Sequence, residues 1–526
     1  MRQSRRMGIP AIAAAVAVSG ALALAQSGEP VDLDAITRIK AEGFERSQVM
    51  DVAWWLTEVH GPRLTNSPQL RAAADWTVKK LTEWGLANAK LEPWGANAEF
   101  GRGWSNERTV VHVVKPTPWP VLAYARAWTP GTSGAVTADA VLAPLATEAD
   151  FDKFRGKLKG RIALLQNPRA VVPLFEPPAR RLTDQNLDEM QAQPVAPPQP
   201  PGGGGPGSGQ AFTAKRNAFL LAEGVVAVLE PANGRGDSGS LLVGGGGSRN
   251  PKDPPVPAQL AVATEHYNRI ARLLEHGQAV TLDLDVRNTF HDADLNMFNI
   301  VAEIPGTDRA DEVVMLGAHF DSWHTGTGSV DNASGSAVML EAMRILKQSG
   351  VRLRRTVRMG LWTGEEQGLI GSRMYVRNHF ADPADMKPKP EHARLAGYFN
   401  MDNGTGQYRG VYLQGNEAAA PIFRAWMAPF ANLGMTHLTI RNTGGTDHLS
   451  FNNVGLPGFQ FIQDPVQYSS RTHHSNLDVY DQLIASDLMK NAVITAAFVY
   501  HTANREQLLP RKPMPRPTPP PRPPSE

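Results

Sequence analysis

Five short stretches of the chain hold side chains that could do chemistry together. They are His319-Phe320-Asp321-Ser322, Asp331-Asn332-Ala333-Ser334-Gly335, Glu365-Glu366-Gln367-Gly368, Asn400-Met401-Asp402-Asn403-Gly404 and His473-His474-Ser475-Asn476-Leu477-Asp478. The 526 residues include no cysteine, which excludes a thiol nucleophile, a thiolate-held metal and any disulfide. A cation would have to be held by imidazole and carboxylate. Taken alone, each stretch has an ordinary explanation. Asp331 stands where an N-cap would, adjacent glutamates suit a helix start, Asp402 suits a turn, and paired histidines can be a surface accident. Together they read as a ligand set.

His319 and Asp321 lie two residues apart, on one face of a strand end. An imidazole ligand commonly donates its second N–H to a carboxylate, and Asp321 is placed for that role. A carboxylate at Asp331 could bridge two cations with its two oxygens. Glu365 and Glu366 repel each other unless cations neutralise them. One of the pair can bind metal while the other takes a proton from bound water. Asp402 and His474 complete a set of two imidazoles and three carboxylates, one of them shared. Three protein ligands per ion leave an open position for water, as catalytic zinc requires. Two such ions about 3.5–4 Å apart can activate a water and polarise a carbonyl. Asp478 would stand behind His474 if that segment turns helically, and Gly444-Gly445-Thr446-Asp447-His448 could line the same pocket.

The elements that must position these groups follow from the hydrophobic pattern. Mostly apolar runs at Val313–Leu316, Val357–Leu361, Leu395–Met401 and Gly458–Ile462, broken only by Arg358 and Gln460, read as strands covered on both faces. Helical stretches separate several of them. The fold class expected is α/β, a mostly parallel central sheet flanked by helices with a small β-rich domain inserted. In such a sheet, sites collect beyond the carboxyl ends of the strands, where His319, Glu365 and Asp402 all fall. Upstream, Ser67-Pro68 predicts a helix start and Gly85 its end, with Leu70, Ala74, Val78 and Leu81 as one stripe. Residues 26–125 are expected to form the first part of the main domain and 290–505 the rest, with the insert at 126–289. Pro and Gly dominate 191–210, which reads as disordered; a second Gly-rich stretch, 244–248, reads as a surface loop. A Pro-rich tail occupies 506–526, expected to be extended and solvated from Leu509 on.

Residues 1–25 carry the marks of an export signal: Arg2, Arg5 and Arg6, an apolar run from Ile9 to Leu24, and a small-x-small site at Ala23-Leu24-Ala25. The mature product is then periplasmic or secreted, and no later apolar run is long enough to span a membrane. The formal charge of +2 becomes −1 once those three arginines are removed (2 − 3), so nothing points to nucleic acid.

At these residues the sequence resembles the zinc aminopeptidase and glutamate carboxypeptidase family of co-catalytic metallopeptidases (clan MH), over Met297 to Ala497 and more loosely from Glu45 to Trp94. The resemblance implies two zinc ions, with manganese or cobalt as possible substitutes, and a peptide substrate. It implies Asp331 as bridging ligand, His319 and Asp402 on one ion, Glu366 and His474 on the other, Glu365 as general base and Asp321 as orienter of His319. His473 is implied as a group that polarises the substrate carbonyl, though in some relatives a tyrosine stands there. The insert resembles a protease-associated domain through Gly160-Arg161-Ile162-Ala163-Leu164-Leu165 and the Lys215 to Val228 stretch. Activities implied are an aminopeptidase or dipeptidase, a glutamate carboxypeptidase-like enzyme, a catalytically silent receptor-like protein, or a one-zinc acyltransferase of the glutaminyl cyclase kind.

Overall fold

The computed structural model describes residues 28–95, 99–195, 208–232 and 239–517. The expected signal therefore lies outside the described residues, as do 196–207 of the Pro/Gly stretch and 518–526 of the tail.

One eight-stranded sheet carries the candidate ligands. Its strands are β1 (Ala87–Pro93), β2 (Phe298–Ile304), β3 (Arg309–His319), β4 (Arg355–Trp362), β5 (Leu395–Asn400), β6 (Tyr408–Tyr412), β7 (His437–Thr439) and β8 (Gly458–Gln463), in the spatial order β1-β2-β4-β3-β5-β8-β6-β7. The four central strands, β4, β3, β5 and β8, pair in parallel, and they are the four apolar runs of the sequence. Strands β1 and β2 join antiparallel on one side, and β6 pairs antiparallel with β8 on the other. The sheet is thus parallel where both faces are covered and mixed toward its edges.

Five helices matter for the site: α1 (Leu33–Glu45), α2 (Pro68–Glu83), α3 (Ser334–Gln348), α4 (Ile370–His379) and α5 (Ala485–Asn504). In α2 the Ser67 side chain accepts from the Leu70 N–H, Pro68 opens the helix, and Gly85 follows at φ +76°. Leu70, Ala74 and Leu81 are buried as the periodicity requires, while Val78 is half-buried. Every residue of α3 from Ser334 to Leu346 is buried. It packs on β3, α1 and α5, which makes it the most enclosed support of the sheet. Glu341 and Arg344 share that interior by pairing at 2.7 Å, and Arg344 also meets Glu42 of α1, so no charge there stands alone.

A second eight-stranded sheet is built from strands between Gly103 and His291, a stretch that lies between β1 and β2 in the chain. Gly103–Lys115 pairs antiparallel with Thr281–His291 along most of its length. Two expectations change here. The Gly-rich stretch 244–248 is packed rather than loose: a Cβ at Gly247 would lie 1.8 Å from the Trp128 carbonyl, so glycine permits the close approach. The start of the tail is docked as well. Leu509 is only 2% exposed against Gly397, and Arg511 Nη2 donates to the carbonyls of His392 and Leu395 at 2.9 and 2.7 Å. Among the described residues, no helix is long and apolar enough to cross a membrane.

Candidate metal centre

The ligand-bearing segments converge because parallel strands end on the same side. His319 is the last residue of β3. Glu365 and Glu366 follow β4 in a tight turn closed by the Gly368 N–H on the Glu365 carbonyl at 2.7 Å. Gly364, at φ +71°, begins that turn, and a Cβ there would meet the Trp94 ring at 2.8 Å. Asp402 follows β5. Asp331 lies just before α3, and Asn332 ties it to the β5 end: its Nδ2 donates to the Met401 carbonyl at 2.9 Å, while its Oδ1 accepts from the Gly335 N–H.

Asp331 sits between two pairs of groups. Its Oδ1 lies 3.2 Å from His319 Nε2, which is itself 3.4 Å from Asp402 Oδ1. Its Oδ2 lies 3.3 Å from His474 Nε2, which is 2.9 Å from Glu366 Oε2. One carboxylate therefore turns one oxygen to each of two histidine–carboxylate pairs. Donor atoms from His319, Asp331 and Glu366, and from His319, Glu365 and Asp402, lie mutually within 4.8 Å. Glu366 Oε1 and Asp402 Oδ1 are buried with no hydrogen-bond partner. Buried carboxylate oxygens in that condition are costly unless a cation completes them, so the donor set fits a divalent ion.

The electrostatics of the protein alone say the same. Burial first, then the charge of Asp331, pushes Glu366 up to about 7. Burial, reinforced by Asp402, Asp447 and Glu366, holds Glu365 well above the usual carboxylate range. Burial pulls His474 down, but Glu366 and Asp331 outweigh it and raise the imidazole to about 10. His319 moves the same way: burial opposes, and Asp402 and Glu365 prevail. Each shift favours the more protonated form, as a site that lacks positive charge requires.

These groups open onto a cavity of about 510 Å³ lined by Asp331, Glu365, Glu366, Asp402, His473 and His474 together with Tyr468 and the Gly444-Gly445-Thr446 loop. His473 stacks on His474 at 3.7 Å between ring centres, with Tyr468 at 4.8 Å on its other side. Asp447 and His448 are not on the cavity surface: both are fully buried, and His448 Nε2 lies 3.1 Å from the Thr443 carbonyl. His319 Nδ1 is 3.0 Å from the backbone carbonyl of Asp321 and 3.8 Å from its carboxylate. The Asp321 carboxylate instead accepts from the N–H groups of Glu365 and Glu366 at 3.2 and 3.3 Å and from Thr65 Oγ1 at 2.8 Å. Asp478 does not stand behind His474. Its carboxylate receives the Val330 and Asp331 N–H groups at 2.5 and 3.2 Å, because the chain after Ser475 folds under the Asp331 loop.

Sequence reasoning missed Arg63 and Thr65. Arg63 is fully buried, and its guanidinium donates to the carbonyls of Leu56, Phe320, Thr327 and Gly328, pinning the loop before Asp331 to the end of β3. Burial lowers its pKa to about 10 against the pull of Asp478 and Asp321. Neither residue carries a signal in its neighbours; both act across more than 250 positions of chain.

The fold and this cluster define a class: α/β proteins that gather imidazole and carboxylate donors at the carboxyl edge of a sheet. Residues 299–499 match the sequence profile of peptidase family M28. Human carboxypeptidase Q is 30% identical over 259 residues, which is 49% of this chain and 52% of that protein. Leupeptin-inactivating enzyme 1 of Streptomyces exfoliatus is 34% identical over 170 residues, 32% of this chain and 36% of the relative. The chain spans about half the length of the carboxypeptidase Q relatives it matches. The solved structure of a peptidase M28 precursor from Shewanella amazonensis superposes with a TM-score of 0.64 at 22% identity, covering 92% of this chain and 98% of that one. A zinc aminopeptidase from Bacillus subtilis superposes at 0.53 and 18% identity, covering 88% and 96%. At these identities the superpositions speak for the fold.

Proposed function

We propose that the chain is an exported two-metal exopeptidase that hydrolyses the terminal peptide bond of short peptides, as an aminopeptidase or dipeptidase. The carrying observation is Asp331, whose two oxygens face two separate histidine–carboxylate pairs. In this reading His319, Asp331, Asp402, Glu366 and His474 would hold two zinc ions, with Asp331 as the carboxylate they share. Bound there, the ions would acidify a water and polarise the scissile carbonyl. Glu365, whose pKa is raised by burial, accepts the water proton as oxygen attacks the carbonyl carbon. The same carboxyl then passes that proton to the leaving amine as the C–N bond breaks. Asp321 holds the Glu365-Glu366 backbone in place. His473 lines the cavity beside His474, where it can donate to the substrate carbonyl.

Metal analysis with kinetics on dipeptides, unblocked, N-blocked and C-blocked, tests this reading. Two zinc ions per chain and cleavage lost on N-blocking support it; cleavage lost only on C-blocking would instead favour glutamate carboxypeptidase-like specificity. Protein that binds no zinc and cleaves none of the peptides would refute it. Export rests on the pattern of residues 1–25, and recovery of the mature chain outside the cytoplasm checks it. The second sheet supports a further proposal, that residues 126–289 are the protease-associated-like insert.

A further inference from the structure

His474 occupies a position with two conflicting demands. Its backbone lies in the left-handed region at φ +58°, which favours glycine, while its imidazole must reach Asp331 and Glu366. A residue with a Cβ persists in that region only when its surroundings over-determine it. Those surroundings come from the other sheet's part of the chain. The Val243 N–H donates to the His474 carbonyl at 3.2 Å, and the Asn476 N–H donates to the Leu241 carbonyl at 3.3 Å. Leu242 and Ser475 form an antiparallel bridge between these bonds. The Leu241 N–H donates to Asn476 Oδ1 at 2.7 Å, and Ser240 Oγ donates to the Arg471 carbonyl at 3.0 Å.

The clamp is itself anchored. Leu241 and Val243 are buried in a small core with Ala261 and Ala263, against Leu122 and Tyr124. The Gly244 carbonyl accepts from the Ala127 N–H, and Gly246 donates back to the Ala127 carbonyl. Gly244 faces the Trp323 ring, which meets the His474 ring edge-on at 6.1 Å. A rigid path thus runs from the core of the 103–291 region to a single imidazole.

We propose that the segment Ser240–Val243 is a positioning element for the metal site that contains His474, so that the inserted region sets the affinity of one of the two cation positions. This rests on the two-metal reading above. It assigns the insert a part in building the centre, through backbone pairing with the 471–476 loop, with Asn476 as the side chain that locks the register.

Calorimetric titration of zinc into metal-free, full-length protein tests the proposal, using wild type, Asn476→Ala and the conservative Asn476→Asp. Removing a hydrogen-bond partner behind a ligand typically weakens metal binding by about 10- to 100-fold. In Asn476→Ala one of the two zinc affinities should fall by that factor while the other stays put, mirroring on a smaller scale the pattern of His474→Ala. Asn476→Asp keeps the acceptor for the Leu241 N–H and should restore the second site. If Asn476→Ala does not fold, Ser240→Ala removes only the outer bond of the clamp and should show a weaker version of the same selective loss. Two unchanged affinities in the folded variants, or equal weakening of both sites, would overturn the positioning role and leave the two-metal reading intact. Wild-type protein that takes up no zinc would overturn both.

Discussion

Two histidines, one ending a strand of the first sheet and one ending a helix packed on it, sit among carboxylates, and their surroundings differ in one respect. His379, at the end of α4, is held by Glu92 of β1 at 2.7 Å and by Glu391 at 3.2 Å. Next to it Arg358 of β4 pairs with Glu303, its cross-strand neighbour on β2, at 2.6 Å and with Glu391 at 3.1 Å. Positive charge meets negative charge throughout, and each carboxylate oxygen has a protein partner to turn to. His319 is surrounded by Asp331, Asp402 and Glu365, among the described residues it pairs with no arginine or lysine, and several buried carboxylate oxygens nearby, Glu366 Oε1 and Asp402 Oδ1 among them, have no hydrogen-bond partner. The first cluster is complete as protein. The second leaves buried carboxylate oxygens without partners, and that distinguishes a structural ion network from a candidate binding centre.

The sharpest way to test the contrast is to remove the base from the incomplete cluster. Glu365→Gln should lower kcat by roughly 10²- to 10⁴-fold, the usual weight of a general base, with zinc content unchanged. Full turnover with both ions retained would reject the role. Chelation comes next. Ligand linkage is worth about 4 kcal/mol at a thousandfold excess over Kd, so thermal unfolding of wild type should fall by several degrees on metal removal. The same chelator should leave the Glu92–His379–Glu391 network untouched, read by the pH dependence below.

His379→Gln should act through pH instead of metal. Burial opposes, but the bonds to Glu391 and Glu92 raise His379 from 6.5 to about 9. A histidine with a raised folded-state pKa stabilises fully below its unfolded value and loses that contribution as pH rises through the folded one. The variant should therefore be less stable than wild type by about 2 kcal/mol at pH 6, with the gap closing between pH 6.5 and 9. A gap independent of pH, measured by urea unfolding, would mean that packing on Tyr375 and not charge holds this cluster. Smallest of all, Ser67→Ala should cost about 1 kcal/mol through the lost N-cap of α2 and leave zinc content as it was; a change in metal affinity would show the two regions to be coupled through Thr65.

Much of the candidate metal centre was legible in advance because its candidate ligands sit at the ends of runs whose apolarity is itself the strand signal. β3, β4 and β5 could be read from Val313–Leu316, Val357–Leu361 and Leu395–Met401, and His319, Glu365, Glu366 and Asp402 from where those runs stop. The outer strands β1, β6 and β7 are only partly apolar, so periodicity could not place them or their direction. Asp447 and His448 are typical pocket residues by type, yet the short helix they begin turns both into the interior.

By itself the sequence determined the donor types, the absence of any thiol, the parallel core of the sheet and the edge at which the chemistry gathers, because these depend on local pattern and on the geometry common to parallel strands. Tertiary structure decided what lies behind the ligands. Arg63 under the Asp331 loop, Thr65 on Asp321, Asp478 on the Val330 and Asp331 N–H groups, and Ser240–Val243 against His474 are contacts between distant segments. Their energies arise only once burial removes water and leaves each polar group to find a partner in the fold.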